Sequence, residues 1–274
     1  TMKKVLIVML MLASGLAVLP ARADVLVLVH GYLGGAYTWD ESGVTAVLQQ
    51  NDWQRAGVYT AGPAGVQLIP TAGMQAADKF YAVDLPSEAP VLVQVYQFQL
   101  ILDAIRQSHA GEDIILVGHS AGGVVARTAL VRGGGGQVTA LITIASPHLG
   151  TVRAEQALDA TDIPFPFSLV TDFFGGDTYY TAMRSRSLYV DLVRPRPGTL
   201  LYWLNGLPHP DIAYISVVRG ETAAGWGDYI VPAYSQDMNN IPLLHGKSSV
   251  VTIPMHHGLA IVDGGVLVDL LKDL

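Results

Sequence analysis

The sequence predicts an α/β protein with a mostly parallel central sheet flanked by helices. Short apolar runs, typical of buried strands, alternate along the chain with longer segments in which apolar residues recur every three or four positions. Such alternation favours a parallel sheet with helices on both faces.

The predicted elements follow each other at regular intervals. Strands are predicted at 25–29, up to 59, at 79–83, 114–117, 138–145, 212–218 and 249–253. Helices are predicted at 39–50, from Pro90 to at least Ile105, at 123–130 and near the C-terminus, where Asp263 lies close to the helix start.

The most informative motif is Gly118-His119-Ser120-Ala121-Gly122, between a predicted strand and a predicted helix. The G-x-S-x-G pattern alone is weak, because 29 of the 274 residues are glycine and an ordinary glycine-rich turn would match it. Strand, pentapeptide and helix together are the setting of a nucleophile elbow, whose glycines permit a sharp turn that exposes the serine hydroxyl. Ser120 is therefore the predicted nucleophile.

A serine hydroxyl is a poor nucleophile at neutral pH, so it needs a base and an acid that orients the base. In folds with this elbow the acid and then the histidine follow the serine in the chain, each after a strand. Asp228 follows the predicted strand 212–218 and is the predicted acid. Asp237 is the fallback, and Asp211 precedes the strand, at the wrong edge of the sheet.

The base is expected directly after the last strand, where His256 and His257 stand side by side. Neighbouring side chains in a loop do not generally reach the same point, so only one is expected to face Ser120. The residues themselves leave this choice open. A metal site at the pair is disfavoured, since no further histidine or cysteine spacing supplies the remaining ligands.

Ester or amide hydrolysis also needs donors for the oxyanion of the tetrahedral intermediate. The backbone N–H of Ala121, the residue after the nucleophile, is the first predicted donor. The loop after the first strand supplies the second, and Tyr32 is predicted there because it directly follows His30 and Gly31. A nucleotide-binding turn is disfavoured, since neither G-x-G-x-x-G nor a P-loop lysine is present.

Five motifs together resemble those of bacterial secreted lipases and esterases of the α/β-hydrolase superfamily. They are His30-Gly31-Tyr32, Gly118-His119-Ser120-Ala121-Gly122-Gly123, Ser146-Pro147-His148-Leu149-Gly150-Thr151, Gly227-Asp228-Tyr229-Ile230-Val231-Pro232 and His256-His257-Gly258-Leu259. The resemblance implies the α/β-hydrolase fold and Tyr32 as an oxyanion donor. In small secreted lipases the base is followed by any residue and then Gly-Leu, which implies His256. Ser146 departs from the threonine usual there.

An insertion at 151–209 interrupts the alternation of strands and helices and is predicted to form a cap or lid over Ser120. It is rich in aromatic residues, although aromatics make up only 8% of the chain. These are Phe165, Phe167, Phe173, Phe174, Tyr179, Tyr180, Tyr189, Tyr202 and Trp203. The alternative is that the insertion only builds a small core of its own.

The first 23 residues are predicted to be a secretory signal peptide. Lys3 and Lys4 precede an apolar run at 5–18, and the small residues Ala21 and Ala23 fit a cleavage site before Asp24. An α/β-hydrolase domain at 24–274 would then be exported to the periplasm or beyond the cell. The chain has no cysteine, and its net charge of −7 and lack of basic runs disfavour nucleic acid as a partner.

The predicted function is hydrolysis of carboxylic esters with lipid-like acyl chains, by a Ser-His-Asp triad and an acyl-enzyme, without a metal or other cofactor. The expected partner is an ester or lipid substrate, at a lipid–water interface. Two alternatives stay open: acyl transfer, thioester or amide cleavage at the same site, and a binding protein of this fold without catalysis.

Overall fold

The computed structural model of the chain describes residues 24–161, 180–181, 183–220 and 228–274. The predicted signal peptide and the centre of the predicted cap lie outside the described residues. The first strand starts at Asp24, the residue that follows the predicted cleavage site.

The described elements alternate as the sequence predicts. In chain order they are β1 Asp24–Val29, α1 Thr38–Glu41, α2 Val44–Gln50, β2 Gln54–Gly62, β3 Gly65–Pro70, β4 Lys79–Asp84, α3 Val91–Ser108, β5 Asp113–His119, α4 Ala121–Gly133, β6 Val138–Ile144, α5 Val152–Thr161, α6 Arg186–Asp191, α7 Leu200–Asn205, β7 Ala213–Arg219, α8 Ala233–Gln236, β8 Ser248–Ile253 and α9 Ile261–Leu271. Short 3₁₀ turns lie at Ala72–Gln75 and Met238–Asn240.

Eight strands form one sheet in the order β3-β2-β4-β1-β5-β6-β7-β8. Every neighbouring pair is parallel except β2 and β3, which form an antiparallel hairpin at one edge. The predicted fold class is thereby confirmed. Because the strands from β4 to β8 run in one direction, the loops that follow them meet at one edge of the sheet, the carboxyl edge.

The central strands β1, β4, β5, β6 and β7 are buried on both faces, as expected for parallel strands. In β1, Val25, Val27 and Val29 pack in a core layer that includes residues of α3 and α4. Leu26 and Leu28 face the opposite layer, which includes residues of α2 and α9. This two-sided core fixes the carboxyl edge on which the candidate site lies.

One local prediction was wrong, and one strand was not predicted. The helix predicted at 39–50 is divided into α1 and α2 at Gly43, whose φ of 81° is outside the helical range. The strand β3 was missed because it is an exposed edge strand that ends at Pro70 and buries neither face. Among the described residues, no helix combines the length and the apolarity needed to cross a bilayer.

Candidate active site

Ser120 is held in a sharp turn between β5 and α4 that depends on glycine. Its φ is 52° and its ψ −127°, a conformation that costs a residue with a side chain about 1 to 3 kcal/mol. A Cβ on Gly122 would lie 2.2 Å from the carbonyl oxygen of His30, and one on Gly123 would lie 2.1 Å from Oγ of Ser146. Larger residues would therefore displace the backbone at His30 and the side chain of Ser146.

The structure brings Ser120 and Asp228 together through His257. Nε2 of His257 lies 2.8 Å from Oγ of Ser120, and its Nδ1 lies 2.7 Å from Oδ2 of Asp228. Since Nδ1 faces a carboxylate, the ring proton belongs on Nδ1, and Nε2 is free to accept the serine proton. This is the arrangement of a Ser-His-Asp triad.

The structure places His257, and not the predicted base His256, beside Ser120. The His256 side chain is exposed, whereas the one at 257 turns inward. The buried ring of His119 donates from Nε2 to the carbonyl oxygen of His257 at 2.8 Å. Because this carbonyl is held, the side chain of His257 faces Ser120, and the side chain of His256 points to solvent.

The carboxylate of Asp228 is fixed from three further directions. Its Oδ1 accepts from the backbone N–H groups of Ile230 at 2.9 Å and Val231 at 2.7 Å. Gln236 donates from Nε2 to Oδ2 at 3.3 Å. The amide of Gln236 is oriented in turn, because its oxygen accepts from the backbone N–H of Arg219 at 2.6 Å. Sequence reasoning did not find Gln236.

Asp237 and Asp211, the other two aspartates considered, lie outside this arrangement. The side chain of Asp237 accepts from the backbone N–H of Asn239 at 2.8 Å and caps a 3₁₀ turn. Asp211 precedes β7 and lies at the opposite edge of the sheet. Asp228 is thus the aspartate that lies at the candidate site.

The residues of the two predicted oxyanion donors line the same pocket as Ser120. Ala121 is the first residue of α4, so its N–H has no partner within the helix. A Cβ on Gly31 would lie 2.8 Å from Cβ of Ser120. The loop that carries Tyr32 therefore runs directly against the nucleophile, and only glycine at 31 allows that approach.

The ring of His30 holds this loop in place. Its Nε2 accepts from the backbone N–H of Leu85 at 3.0 Å, so the proton lies on Nδ1, which donates to the carbonyl oxygen of Gly31 at 2.9 Å. Burial lowers the pKa of His30 and so keeps this ring neutral at pH 7. The predicted motif contained His30 but gave its side chain no role.

A buried ion pair supports the histidine loop. Arg219, at the end of β7, donates to both carboxylate oxygens of Asp263 at 2.7 and 2.8 Å, and both side chains are fully buried. Arg219 also donates to the carbonyl oxygen of Gly258 at 3.3 Å. The pair ties the residue after His257 to α9. The sequence feature that could have indicated this buried ion pair is an arginine directly after an apolar strand.

A pocket of about 360 Å³ opens beside Ser120 and is walled mainly by apolar groups. The insertion contributes part of this wall through α5 and α6, with Ala154, Ala157 and Tyr189. Tyr189 places its hydroxyl 2.5 Å from that of Tyr32, with the rings edge to face. The described part of the insertion thus borders the site.

The predicted aromatic lining is present only in part among the described residues. Tyr189 faces the pocket. Tyr202 and Trp203 are 54% and 43% exposed and do not line it, and Tyr180 is exposed as well. Phe165, Phe167, Phe173, Phe174 and Tyr179 lie outside the described residues, so the lid stays a prediction.

The fold and the site define the chain as a member of the α/β-hydrolase superfamily. Residues 23–162 match the model of the PGAP1-like alpha/beta domain family, and the chain belongs to that family. No curated protein matches the sequence.

Solved structures with a similar fold include two bacterial lipase-like proteins. The mature lipase BlEst2 of Bacillus licheniformis is 17% identical with a TM-score of 0.57, and the alignment covers 93% of this chain and 92% of that one. A lipase-esterase related protein of Clostridium acetobutylicum is 12% identical with a TM-score of 0.55, over 92% of this chain and 94% of that one. At these identities the similarity concerns the fold.

The described residues contain no group of three or more histidine, aspartate or glutamate side chains placed to hold a metal ion.

Proposed function

We propose that the protein is a serine hydrolase that cleaves carboxylic esters. The observation that carries this proposal is the hydrogen-bonded chain from Ser120 through His257 to Asp228, which opens into an apolar pocket. Each partner is positioned by further contacts, and such pre-organisation is what nucleophilic catalysis by serine requires.

In the proposed reaction, Oγ of Ser120 attacks the ester carbonyl while Nε2 of His257 takes the hydroxyl proton. Asp228 holds the imidazole and stabilises its cation. The backbone N–H groups of Tyr32 and Ala121 stabilise the oxyanion. His257 returns the proton to the leaving alcohol, and a water molecule that it activates then releases the acid from Ser120.

The walls of the pocket support an acyl chain as the substrate's apolar part. Ala154, Ala157 and Leu192 are aliphatic. Burying hydrocarbon against such groups stabilises binding by about 0.8 kcal/mol per CH₂. We therefore propose lipid-like acyl esters as substrates.

We propose export as well; the protein recovered from outside the cytoplasm is then expected to begin at Asp24, which N-terminal sequencing measures.

The test is hydrolysis of p-nitrophenyl esters from acetate to palmitate by the protein and by Ser120→Ala. The variant is expected to lose at least about 1,000-fold in kcat while it keeps its fold by circular dichroism. A serine-reactive phosphonate is expected to label the unmodified protein but not Ser120→Ala. Turnover retained in Ser120→Ala, or no turnover of any ester by a protein that folds, would contradict the proposal.

A further inference from the structure

Arg153 is a permanently charged, solvent-exposed side chain at the pocket that also contains the candidate nucleophile. It is the second residue of α5 and lines the same pocket as Ser120 and His257. The other described groups that line this pocket are apolar or carry no permanent charge. Among the described residues that line this pocket, Arg153 is therefore the one that can offer a permanent positive charge to a bound anion.

The guanidinium of Arg153 is held in place by neutral groups. Its Nε donates to the carbonyl oxygen of Tyr229 at 3.0 Å, and its Nη1 donates to Oε1 of Gln156 at 3.0 Å. These contacts orient the group without neutralising its charge. Among the described residues, no carboxylate lies within ion-pair distance of Arg153.

Neighbouring arginines of the insertion differ in this respect. Arg194 forms an ion pair with Glu155 at 2.7 Å, and Arg184 lies 3.4 Å from a carboxylate oxygen of Glu88. Two other arginines of the insertion thus have acidic partners, whereas Arg153 has none within the described part of the chain. Since the net charge of the chain is −7, a local cation is needed to attract an anionic substrate.

We propose that Arg153 selects esters that carry an anionic group, a carboxylate or a phosphate, at the far end of the pocket from the scissile carbonyl. The inference rests on the proposed ester hydrolysis. The guanidinium of Arg153 is exposed to solvent, and an ion pair with an exposed arginine corresponds to a preference of about two- to fivefold.

The experiment compares p-nitrophenyl hydrogen adipate with p-nitrophenyl hexanoate, which have the same leaving group and acyl length. The ratio of their kcat/KM values is measured for the protein, Arg153→Gln and Arg153→Lys. We expect Arg153→Gln to lower this ratio about two- to fivefold, chiefly through KM. Arg153→Lys, which keeps the charge, is expected to retain most of the preference. Added salt should lower the ratio in the unmodified protein and not in Arg153→Gln.

A second arm places the charge on the alcohol instead, with 4-sulfophenyl hexanoate against its neutral sulfonamide analogue. A fall of the ratio in either arm supports the proposal and shows on which side of the ester the anion is bound. A merely structural role of Arg153, as a clamp on Tyr229, would lower the turnover of charged and neutral esters equally. Ratios that are the same in all three proteins in both arms would overturn the inference while leaving the proposed hydrolysis intact. Absence of Ser120-dependent turnover of every ester would overturn both.

Discussion

At the scale of single residues, the site depends on which way each side chain leaves the backbone. Ser120 has a positive φ, and the two glycines after it leave room for the backbone at His30 and the side chain of Ser146. His257 faces Ser120 because its own carbonyl oxygen is held by the ring of His119. The reactive groups are thus positioned by neighbours that take no part in the proposed chemistry.

Replacement of His257 by alanine is expected to lower kcat for ester hydrolysis at least about 1,000-fold, because it removes the group that takes the proton of Ser120. His256→Ala is the matched control, one residue away and exposed, and is expected to stay within about threefold of the unmodified protein. Both variants are assayed on p-nitrophenyl butyrate with unfolding curves recorded in parallel. A severe loss in His256→Ala beside an active His257→Ala would assign the base to the other residue.

The order of chain segments was sufficient to predict that Ser120 and Asp228 would meet, because in a parallel sheet the loops after the strands share one edge. It was not sufficient to choose between His256 and His257. A shift of one residue in a loop reverses the direction of a side chain, and that direction is set by contacts with His119 and Arg219 that are remote in sequence. Gln236 was missed for the same reason.

At the scale of elements, α9 shows how a feature that weakens a helix can serve its packing. Two adjacent glycines, Gly264 and Gly265, lie within this helix. A Cβ at Gly264 would lie 2.7 Å from Cβ of Val47 in α2, whereas nothing lies within 4 Å of a Cβ at Gly265. Only the first glycine is needed for the close contact of α9 with α2.

The two glycines are expected to respond in opposite directions to alanine. Gly264→Ala should lower the free energy of unfolding by about 1 to 3 kcal/mol, because the added methyl group overpacks the contact with Val47. Gly265→Ala should raise it by up to about 1 kcal/mol, since alanine has the higher helix propensity. Urea unfolding of both variants measures the difference. Equal stabilisation by the two changes would show that α9 and α2 are not in close contact.

Helices and strands with a clear apolar pattern were predictable, including β8, whose side chains are at most partly buried. The apolar positions of α3 recur with helical spacing, and Val95, Phe98, Leu102 and Ile105 among them are buried. The edge strand β3 has no such pattern, because both of its faces are largely exposed. The break between α1 and α2 is set by a single glycine conformation, which composition does not reveal.

At the scale of the whole molecule, burying the site's supporting groups makes the fold sensitive to acid. Burial lowers the pKa of His119 to about 4, an effect to which the nearby His257 adds, and burial also lowers the pKa of His30 and His148. These rings are neutral in the folded protein and become charged in the unfolded chain below pH 6.5. The unfolded state therefore binds more protons as the pH falls, and folding is weakened.

The free energy of unfolding is accordingly expected to fall between about pH 6.5 and pH 4. His119 has a lower pKa in the folded protein than in the unfolded chain, so its contribution to stability is complete above pH 6.5. That contribution is lost progressively as the pH falls from 6.5 to about 4, the pKa of His119 in the folded protein. His119 alone would contribute up to about 3 kcal/mol of this loss. His119→Gln keeps an amide donor for the carbonyl oxygen of His257 but cannot titrate. The free energy of unfolding is measured with urea for both proteins from pH 4 to 7.5. Plotted against pH, it is expected to change less steeply in the variant, and the difference in slope corresponds to the uptake of up to about one proton on unfolding. Equal slopes would mean that His119 is protonated as readily in the folded protein as in the unfolded chain.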